Sequence, residues 1–208
     1  NSLFITSAGA VYGTGWNVYG QLGLGDGTSR AGPTLITSGI GGLTIVAVSA
    51  NTYHSLFLTS TGAVYATGYN SNGQLGLGDN MDRNVPTLIT SGIGGLTIVA
   101  VSAGQYHSLF LTSTGAVYAT GYNGNYQLGF GDSTGRNVPT LITTLTNIVA
   151  VSTDTYHSLF LTSTGAVYAT GYNVFGQLGL GDTTNRDVPT LITTLTNVVA
   201  VSTGILHS

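Results

Sequence analysis

Four histidines recur at equivalent places in the sequence, and each is followed by a serine. They are His54, His107, His157 and His207. Such imidazoles would bind a metal only if they converged within about 2 Å of one ion. They would activate a serine only with an aspartate to orient the ring. Adjacent strand residues point to opposite faces of a sheet, which separates each histidine from the serine beside it. We therefore predict hydrogen-bonded structural histidines, with no metal site and no catalytic triad.

All four arginines of the sequence lie four residues after an aspartate, in the same kind of loop. The pairs are Asp26 with Arg30, Asp79 with Arg83, Asp132 with Arg136, and Asp182 with Arg186. A ring of free arginines would bind anions. An arginine that reaches the nearby carboxylate, ideally with two parallel hydrogen bonds, would instead brace its loop. The spacing favours the second interpretation and predicts four structural pairs, in which an ion pair or backbone hydrogen bonds brace the loop.

Glycine-rich loops such as GQLGLGDG, residues 20–27, share the glycine content of a phosphate-binding loop. They lack the Gly-Lys-Ser/Thr ending of that motif, and no helical pattern follows them. The aspartates outside the repeated pairs, Asp82, Asp154 and Asp187, are scattered singly. We predict that these are turn glycines, that the chain has no catalytic, cofactor-binding or metal-binding residues, and that it is not an enzyme.

Charged side chains are unusually scarce in this sequence of 208 residues. They make up 5% of it, against about 25% in a typical soluble domain. With four arginines, no lysine and a net charge of −3, the chain has no basic surface to bind nucleic acid. No apolar run reaches the roughly 18 residues that span a bilayer, so membrane insertion is not expected. Cysteine is absent, which excludes disulfides.

A tandem repeat organises the whole chain. The segment YHSLFLTSTGAVYATGYN occurs three times, starting at Tyr53, Tyr106 and Tyr156, and a divergent copy opens the sequence at Asn1. A period near 50 residues is typical of propellers and solenoids, in which a repeat buries its faces only against its neighbours. We treat 1–208 as one repeat region, with repeats 1–53, 54–106, 107–156 and 157–206, and with 207–208 beginning the next.

Each repeat contains four short strand patterns and no helical one. In the second repeat, residues 55–59 are apolar, 63–67 alternate between two faces, and 87–89 follow Pro86. Proline fits the start or the outer edge of a sheet because it cannot donate a ladder hydrogen bond. Residues 98–102, IVAVS, are small and apolar, which predicts an inner strand buried on both sides. The predicted class is all-β, a propeller-type array of four-stranded antiparallel blades.

The sequence HSLFLTSTGAVYATGYNSNGQLGLGD, followed by a proline and a VAVSAG strand, resembles the repeat of the regulator-of-chromosome-condensation family. The resemblance covers the whole chain and implies a β-propeller, in that family one of about seven blades. The family usually has tryptophan at four positions that are threonine here, Thr14, Thr67, Thr120 and Thr170. We expect aromatic residues two positions later to restore the lost packing, namely Trp16, Tyr69, Tyr122 and Tyr172.

The phase of the repeats leaves three interpretations open. Asn1 aligns with His54, just after a predicted inner strand, and residues 198–202 form a further inner strand. The chain is a window from a longer array, or the spare strand completes the first blade of another copy in a head-to-tail assembly. In the third interpretation, the spare strand closes a four-bladed ring on itself.

The repeats differ mainly at their loop tips, and rigid scaffolds commonly place recognition on such loops. Exposed aromatic residues there would act as anchors. The alternative is neutral variation at tolerant surface positions. The candidate interaction residues are Val18, Tyr19, Ser71, Asn72, Asn125, Tyr126, Val174 and Phe175.

We expect a non-enzymatic structural or protein-interaction module, within an extracellular or cell-surface assembly joined through blade edges or loop tips. A surface so poor in charge suits an assembly better than a dispersed monomer. The partner would be protein, including head-to-tail copies of the chain, and serine and threonine are plentiful enough to carry O-glycans. The alternative is a secreted propeller that binds or inhibits a protein through one face. The resemblance also implies nucleotide exchange on a small GTPase with chromatin binding, which the lack of basic surface disfavours.

Overall fold

The computed structural model describes residues 1–208, and every regular element in it is a β-strand. The strands are β1 Ser2–Ile5, β2 Val11–Gly15, β3 Arg30–Leu35, β4 Ile45–Ala50, β5 His54–Thr59, β6 Val64–Gly68, β7 Arg83–Leu88, β8 Ile98–Ala103, β9 His107–Thr112, β10 Val117–Gly121, β11 Arg136–Leu141, β12 Ile148–Thr153, β13 His157–Thr162, β14 Val167–Gly171 and β15 Arg186–Leu191. No helix with the length and apolarity to cross a membrane is present. The predicted all-β class is confirmed.

The strands form four antiparallel sheets, and each sheet follows the chain in order. The first has three strands, β1–β2–β3, and the others have four: β4–β5–β6–β7, β8–β9–β10–β11 and β12–β13–β14–β15. The first strands β4, β8 and β12 contact one another from sheet to sheet. They therefore lie innermost, with β7, β11 and β15 at the outer edges, which is the radial arrangement of propeller blades.

The core consists of side chains packed between neighbouring sheets. Every residue of β5, with the sequence HSLFLT, is buried. Phe57 packs in a cluster with Val11 of the first sheet, whereas Leu56 and Leu58 pack in a cluster with Phe110 of the third. Because side chains alternate across a strand, one hexapeptide fills both interfaces of its blade.

The prediction that the inner strands are buried on both sides is wrong. In β4 only Ile45 is buried, and Val46 is 54% exposed. The pairing register with β5 shifts between Ile45 and Ala47, so Val46 lies at a bulge and is left out of the ladder. In the second and third sheets, the strand that both neighbouring blades cover is the second one, β5 and β9 respectively.

Two predicted strands depart clearly from the structure. The outer strand β7 begins at Arg83, ahead of the predicted start at residue 87, and contains Pro86. An edge strand tolerates proline because its free side needs no donor. Residues 198–202, predicted as an inner strand, form no strand. No second strand lies beside them, although Val198 N donates to Gly165 O.

The glycine-rich loops join each blade to the next. Thr67 Oγ1 donates to Gly20 O (2.9 Å), and Ser55 Oγ donates to Gln21 O (2.7 Å). Gly20 has φ +77°, and a Cβ atom there would lie 2.4 Å from Asn84 Cα. The predicted turn glycines therefore also let the loop lie directly against the next blade. The same bonds recur at later seams, from Thr120 to Gly73, from Ser108 to Gln74 and from Ser158 to Gln127.

Candidate protein-interaction face

One end of the blades carries a run of aromatic side chains, here called the aromatic band. His54 at the start of β5 pairs with Gly68 at the end of β6. Tyr53 and Tyr69 flank this pair and so project from the same end, where Tyr69 N donates to Tyr53 O (2.9 Å). The same arrangement recurs in the next two blades. The members of the aromatic band are Trp16, Tyr19, Tyr53, Tyr69, Tyr106, Tyr122, Tyr156, Tyr172 and Phe175.

The rings of the aromatic band contact one another in two groups. In the larger group, Tyr19 packs against Tyr69 with ring centroids 4.9 Å apart, and Tyr53 stacks on Tyr106 at 5.3 Å. Burial, followed by the influence of the Tyr53 hydroxyl, raises the pKa of Tyr106 to about 12. The smaller group joins Tyr156, Tyr172 and Phe175. Phe175 is 65% exposed, so an apolar ring stands in solvent at one end of the band.

A buried asparagine and an ion pair brace each loop beneath the band. Asn70 Oδ1 accepts from Leu75 N (2.9 Å), and Asn70 Nδ2 donates to Asp79 O (3.0 Å). Asp79 Oδ1 accepts from Met81 N (2.9 Å), and Asp79 Oδ2 accepts from an Arg83 NH2 group (2.5 Å). Hydrogen bonds from the Met81 backbone and from Arg83 hold the pKa of Asp79 below its usual value, against the opposing effect of burial.

All four predicted aspartate–arginine pairs form ion pairs, but not with two bonds to the carboxylate. One arm of the Arg83 guanidinium reaches Asp79, and the other donates to Met81 O (2.7 Å). Each arginine therefore ties a carboxylate to the backbone of its own loop, which leaves no ring of free cations for an anion. The other three pairs are Asp26–Arg30 at 2.7 Å, Asp132–Arg136 at 2.8 Å and Asp182–Arg186 at 2.5 Å.

Three of the recurring histidines are hydrogen-bonded to the serine of the following repeat. His54 Nε2 lies 2.8 Å from Ser108 Oγ, and that hydroxyl donates to Gln74 O (2.8 Å). The serine oxygen therefore accepts the Nε2 proton, and the unprotonated Nδ1 is buried without a partner. The equivalent pairs are His107–Ser158 at 3.0 Å and His157–Ser208 at 2.8 Å.

This arrangement does not match a catalytic triad. The Ser108 hydroxyl is committed to a carbonyl, and His54 Nδ1 bonds no carboxylate. Burial lowers the pKa of His54 and His107 to about 3 and that of His157 to about 4. No group of three or more histidine, aspartate or glutamate side chains is placed to hold a metal ion.

The predicted interaction residues lie at the tips of the loops that carry the band. Tyr19 and Phe175 belong to it, whereas Tyr126 does not. Tyr126 has φ +66°, and its carbonyl accepts from Thr170 (3.1 Å), so its backbone forms part of a blade seam. Val18 and Val174 are exposed at the tips of the first and last loops, and Ser71 is exposed in the second loop. Asn72 and Asn125 are half-buried at the tips of the second and third loops.

Prediction from variation between repeats missed most of the aromatic band. Tyr53, Tyr106 and Tyr156 are identical in three copies, as is the tyrosine that follows each third strand. The sequence did contain a usable signal, because one tyrosine precedes the second strand of the blade and another follows the third. These two strands form a hairpin, so both tyrosines lie at its open end.

Trp16 and Tyr122 are each 39% exposed, so these two rings do not replace core tryptophan packing. Tyr69 and Tyr172 are half-buried and contact other rings of the band. Thr67, Thr120 and Thr170 instead donate hydrogen bonds across the seams between blades, and Thr14 bonds within its own sheet.

Comparison with known proteins agrees with this architecture. The RCC1-like domain profile matches residues 1–208. The ultraviolet-B receptor UVR8 of Arabidopsis thaliana is 36% identical over 146 residues, which are 70% of this chain and 33% of that protein. The probable E3 ubiquitin-protein ligase HERC4 of Mus musculus is 42% identical over 130 residues, which are 62% of this chain and 12% of that protein.

Two solved structures show the same fold. Human WBSCR16 superposes with a TM-score of 0.82 at 25% identity, over 91% of this chain and 50% of that one. Yeast RCC1 (Prp20), in its complex with Kap60, superposes with a TM-score of 0.78 at 23% identity, over 91% of this chain and 46% of that one. The chain thus spans half or less of each of these relatives. With a profile match over its full length and the same radial sheets, the chain belongs to the RCC1-like domain family of β-propellers.

Proposed function

We propose that this chain is a non-enzymatic protein-interaction module that binds its partner through the aromatic band. The observation that carries the proposal is the band itself, a run of tyrosine, tryptophan and phenylalanine rings projecting from one end of a rigid scaffold. Tyrosine and tryptophan are enriched at the energetic centres of interfaces. They offer large, rigid contact areas at a small cost in side-chain entropy.

The chemistry of the polar residues supports a binding role over catalysis. Serines beside the buried histidines donate to main-chain carbonyls, and the four arginines are occupied in ion pairs. Among the family's solved structures, yeast RCC1 (Prp20) was determined bound to Kap60, so a protein that contains a propeller of this type binds another protein. Binding to a protein partner is the role proposed for this chain.

The test is a selection of binding peptides from a displayed random library. The native chain is the bait, and a variant with Tyr19→Ala, Tyr122→Ala and Phe175→Ala is the counter-bait. A matched control carries Thr61→Ala, Thr114→Ala and Thr164→Ala in the hairpins at the opposite end of the blades. We expect selected ligands to lose at least about tenfold in affinity for the aromatic variant and to bind the control as well as the native chain. Equal binding to all three proteins would contradict the proposal.

We also propose that copies of the chain associate head to tail. An apolar pocket of about 570 Å³ lies on the last sheet, and its lining includes Leu159, Leu178, Val198 and Val201. In the second and third sheets, the next sheet covers the corresponding apolar face. Light scattering should show a mass that rises with concentration, and a constant monomer mass would refute the association.

We further propose that the protein acts outside the cell or at its surface. Recovery of the native protein only from inside cells would refute this location.

A further inference from the structure

A pocket interrupts the aromatic band where the loops of the second and third sheets meet the start of the fourth sheet. Its volume is about 260 Å³, and it is lined by Asn72, Tyr106, Tyr122, Asn125 and Tyr156. Three tyrosine rings and two side-chain amides therefore surround one opening. None of the four arginines of the chain lines this opening, although Arg136 lines an adjoining pocket that shares Asn72 and Tyr122.

The pocket exists because of one position in the repeat. In the first loop that position is Tyr19, whose ring packs against both Tyr69 and Tyr53, at centroid distances of 4.9 and 5.8 Å. In the second and third loops the same position is Asn72 and Asn125. An asparagine is too short to cover the tyrosines of the next blade, so the space that a ring fills at the first seam stays open.

The shape of the pocket favours a cation over a flat sugar ring. The planes of Tyr106 and Tyr122 are inclined at 70°, with centroids 6.5 Å apart. They form adjoining walls, whereas a pyranose needs one flat platform. Aromatic faces attract a cation placed within about 6 Å of the ring centroid. The protein carries a net charge of −3, and its arginines are already paired, so the electrostatic background also favours a positive ligand.

The amides decide which cation fits best. The side chains of Asn72 and Asn125 make no hydrogen bond within the chain, although their backbone N–H groups bond to Gln74 and Gln127. A guanidinium group stacks on aromatic rings, is weakly hydrated and carries five donors in a plane. Its N–H groups can donate to the free amide oxygens of Asn72 and Asn125 while its plane stacks on the tyrosine rings. An ammonium group is more strongly hydrated and cannot stack.

We infer that this pocket binds an arginine side chain of the protein partner. The inference rests on the proposed function and names the chemistry that one part of the aromatic band recognises. The guanidinium would enter between Tyr106 and Tyr122, with Tyr156 closing the third side. Asn72 and Asn125 would accept its N–H groups at the rim.

The test uses three blocked tripeptides, Gly-Arg-Gly, Gly-Lys-Gly and Gly-citrulline-Gly, titrated into the full chain and followed by NMR. Citrulline has the shape of arginine without the charge. We expect the arginine peptide to shift the side-chain amide signals of Asn72 and Asn125, and to bind about tenfold more tightly than the citrulline peptide. Lysine should bind between the two. Equal binding of arginine and citrulline would overturn the inference.

Variants separate the pocket from the rest of the band. Asn72→Tyr copies the first repeat, fills the space with a ring, and should abolish binding of the arginine peptide without harming the fold. Tyr122→Ala should weaken binding about tenfold, whereas Tyr122→Phe, which keeps the ring, should stay within about threefold. Thr114→Ala, in an exposed hairpin at the opposite end of the blades, is the control and should not change binding.

The two proposals can fail separately. If library-selected ligands depend on Tyr19 and Phe175 but bind Asn72→Tyr as well as the native chain, the arginine pocket is wrong and the interaction face stands. If ligands ignore the whole aromatic band, the proposed function is wrong as well.

Discussion

Lowering the pH from 7 to 4 is expected to unfold this protein through its buried histidines. In the folded chain the pKa of His54 and of His107 is about 3 and that of His157 is about 4, against 6.5 for a free histidine. The cause is burial, and the structure shows why a second proton is not tolerated. The added proton would sit on Nδ1, which is enclosed and has no acceptor.

The sign and size of the effect follow from proton linkage. Because the folded pKa values are lowered, the unfolded chain binds more protons than the folded one at pH values below about 6.5. Stability is therefore complete above that pH and is lost progressively as the pH falls toward the folded values. With three histidines, the free energy of unfolding should fall by about 4 kcal/mol per pH unit near pH 5. A typical domain has only about 5–15 kcal/mol in total.

The assay is urea unfolding followed by tyrosine fluorescence at pH values from 8 to 4.5. His54→Gln supplies the decisive variant, because a glutamine amide can donate to Ser108 Oγ but does not titrate. It should keep the native circular dichroism spectrum at pH 7.5 and reduce the slope near pH 5 by about 1.4 kcal/mol per pH unit. A native chain that loses less than about 1.4 kcal/mol per pH unit, or a variant with an unchanged slope, would refute the reasoning.

Other predictions concern the seams, the backbone and assembly. Thr67→Val keeps the side-chain shape but removes the hydroxyl that bonds Gly20 O and Arg83 O, and should cost about 1–3 kcal/mol in urea unfolding; no loss would mean that the seam bonds are dispensable. Gly68→Ala should cost several kcal/mol, because φ is +115° and the new Cβ would meet Tyr53 O at 2.4 Å. Gly95→Ala, with φ +82° and open space around it, should cost only about 1–2 kcal/mol; similar losses in both variants would contradict the assigned clash.

The architecture could be predicted because each repeat contains the strand and turn pattern of one blade. The period and the alternating segment 63–67 both pointed to small antiparallel sheets, which the structure contains. The inner strand was harder. IVAVS is apolar except for its serine, and its composition cannot show that a bulge exposes Val46.

The candidate site could be predicted only in part, for a physical reason. Tyr19 and Phe175 differ between repeats and were therefore noticed, whereas Tyr106 and Tyr122 are identical to their copies and look structural in the sequence. Ring contacts such as the stacking of Tyr53 on Tyr106 join residues of different blades. They depend on the angle between blades, and no local pattern encodes that angle. The ion pairs were predicted correctly because each lies within a single five-residue segment.

The identity of β5, β9 and β13, all HSLFLT, has a consequence for the folding pathway. The inner strand β4 meets the same side chains whether it pairs with β5 or with β9, so strand chemistry cannot choose between them. Chain connectivity must make the choice. Pairing with β5 closes residues 51–53, and pairing with β9 closes residues 51–106, a loop roughly twenty times longer that costs about 2.5 kcal/mol more in entropy. The correct order of blades is thus favoured by a factor of only about 70 at the moment of pairing, and brief mispairing between neighbouring repeats should appear as a slow refolding phase.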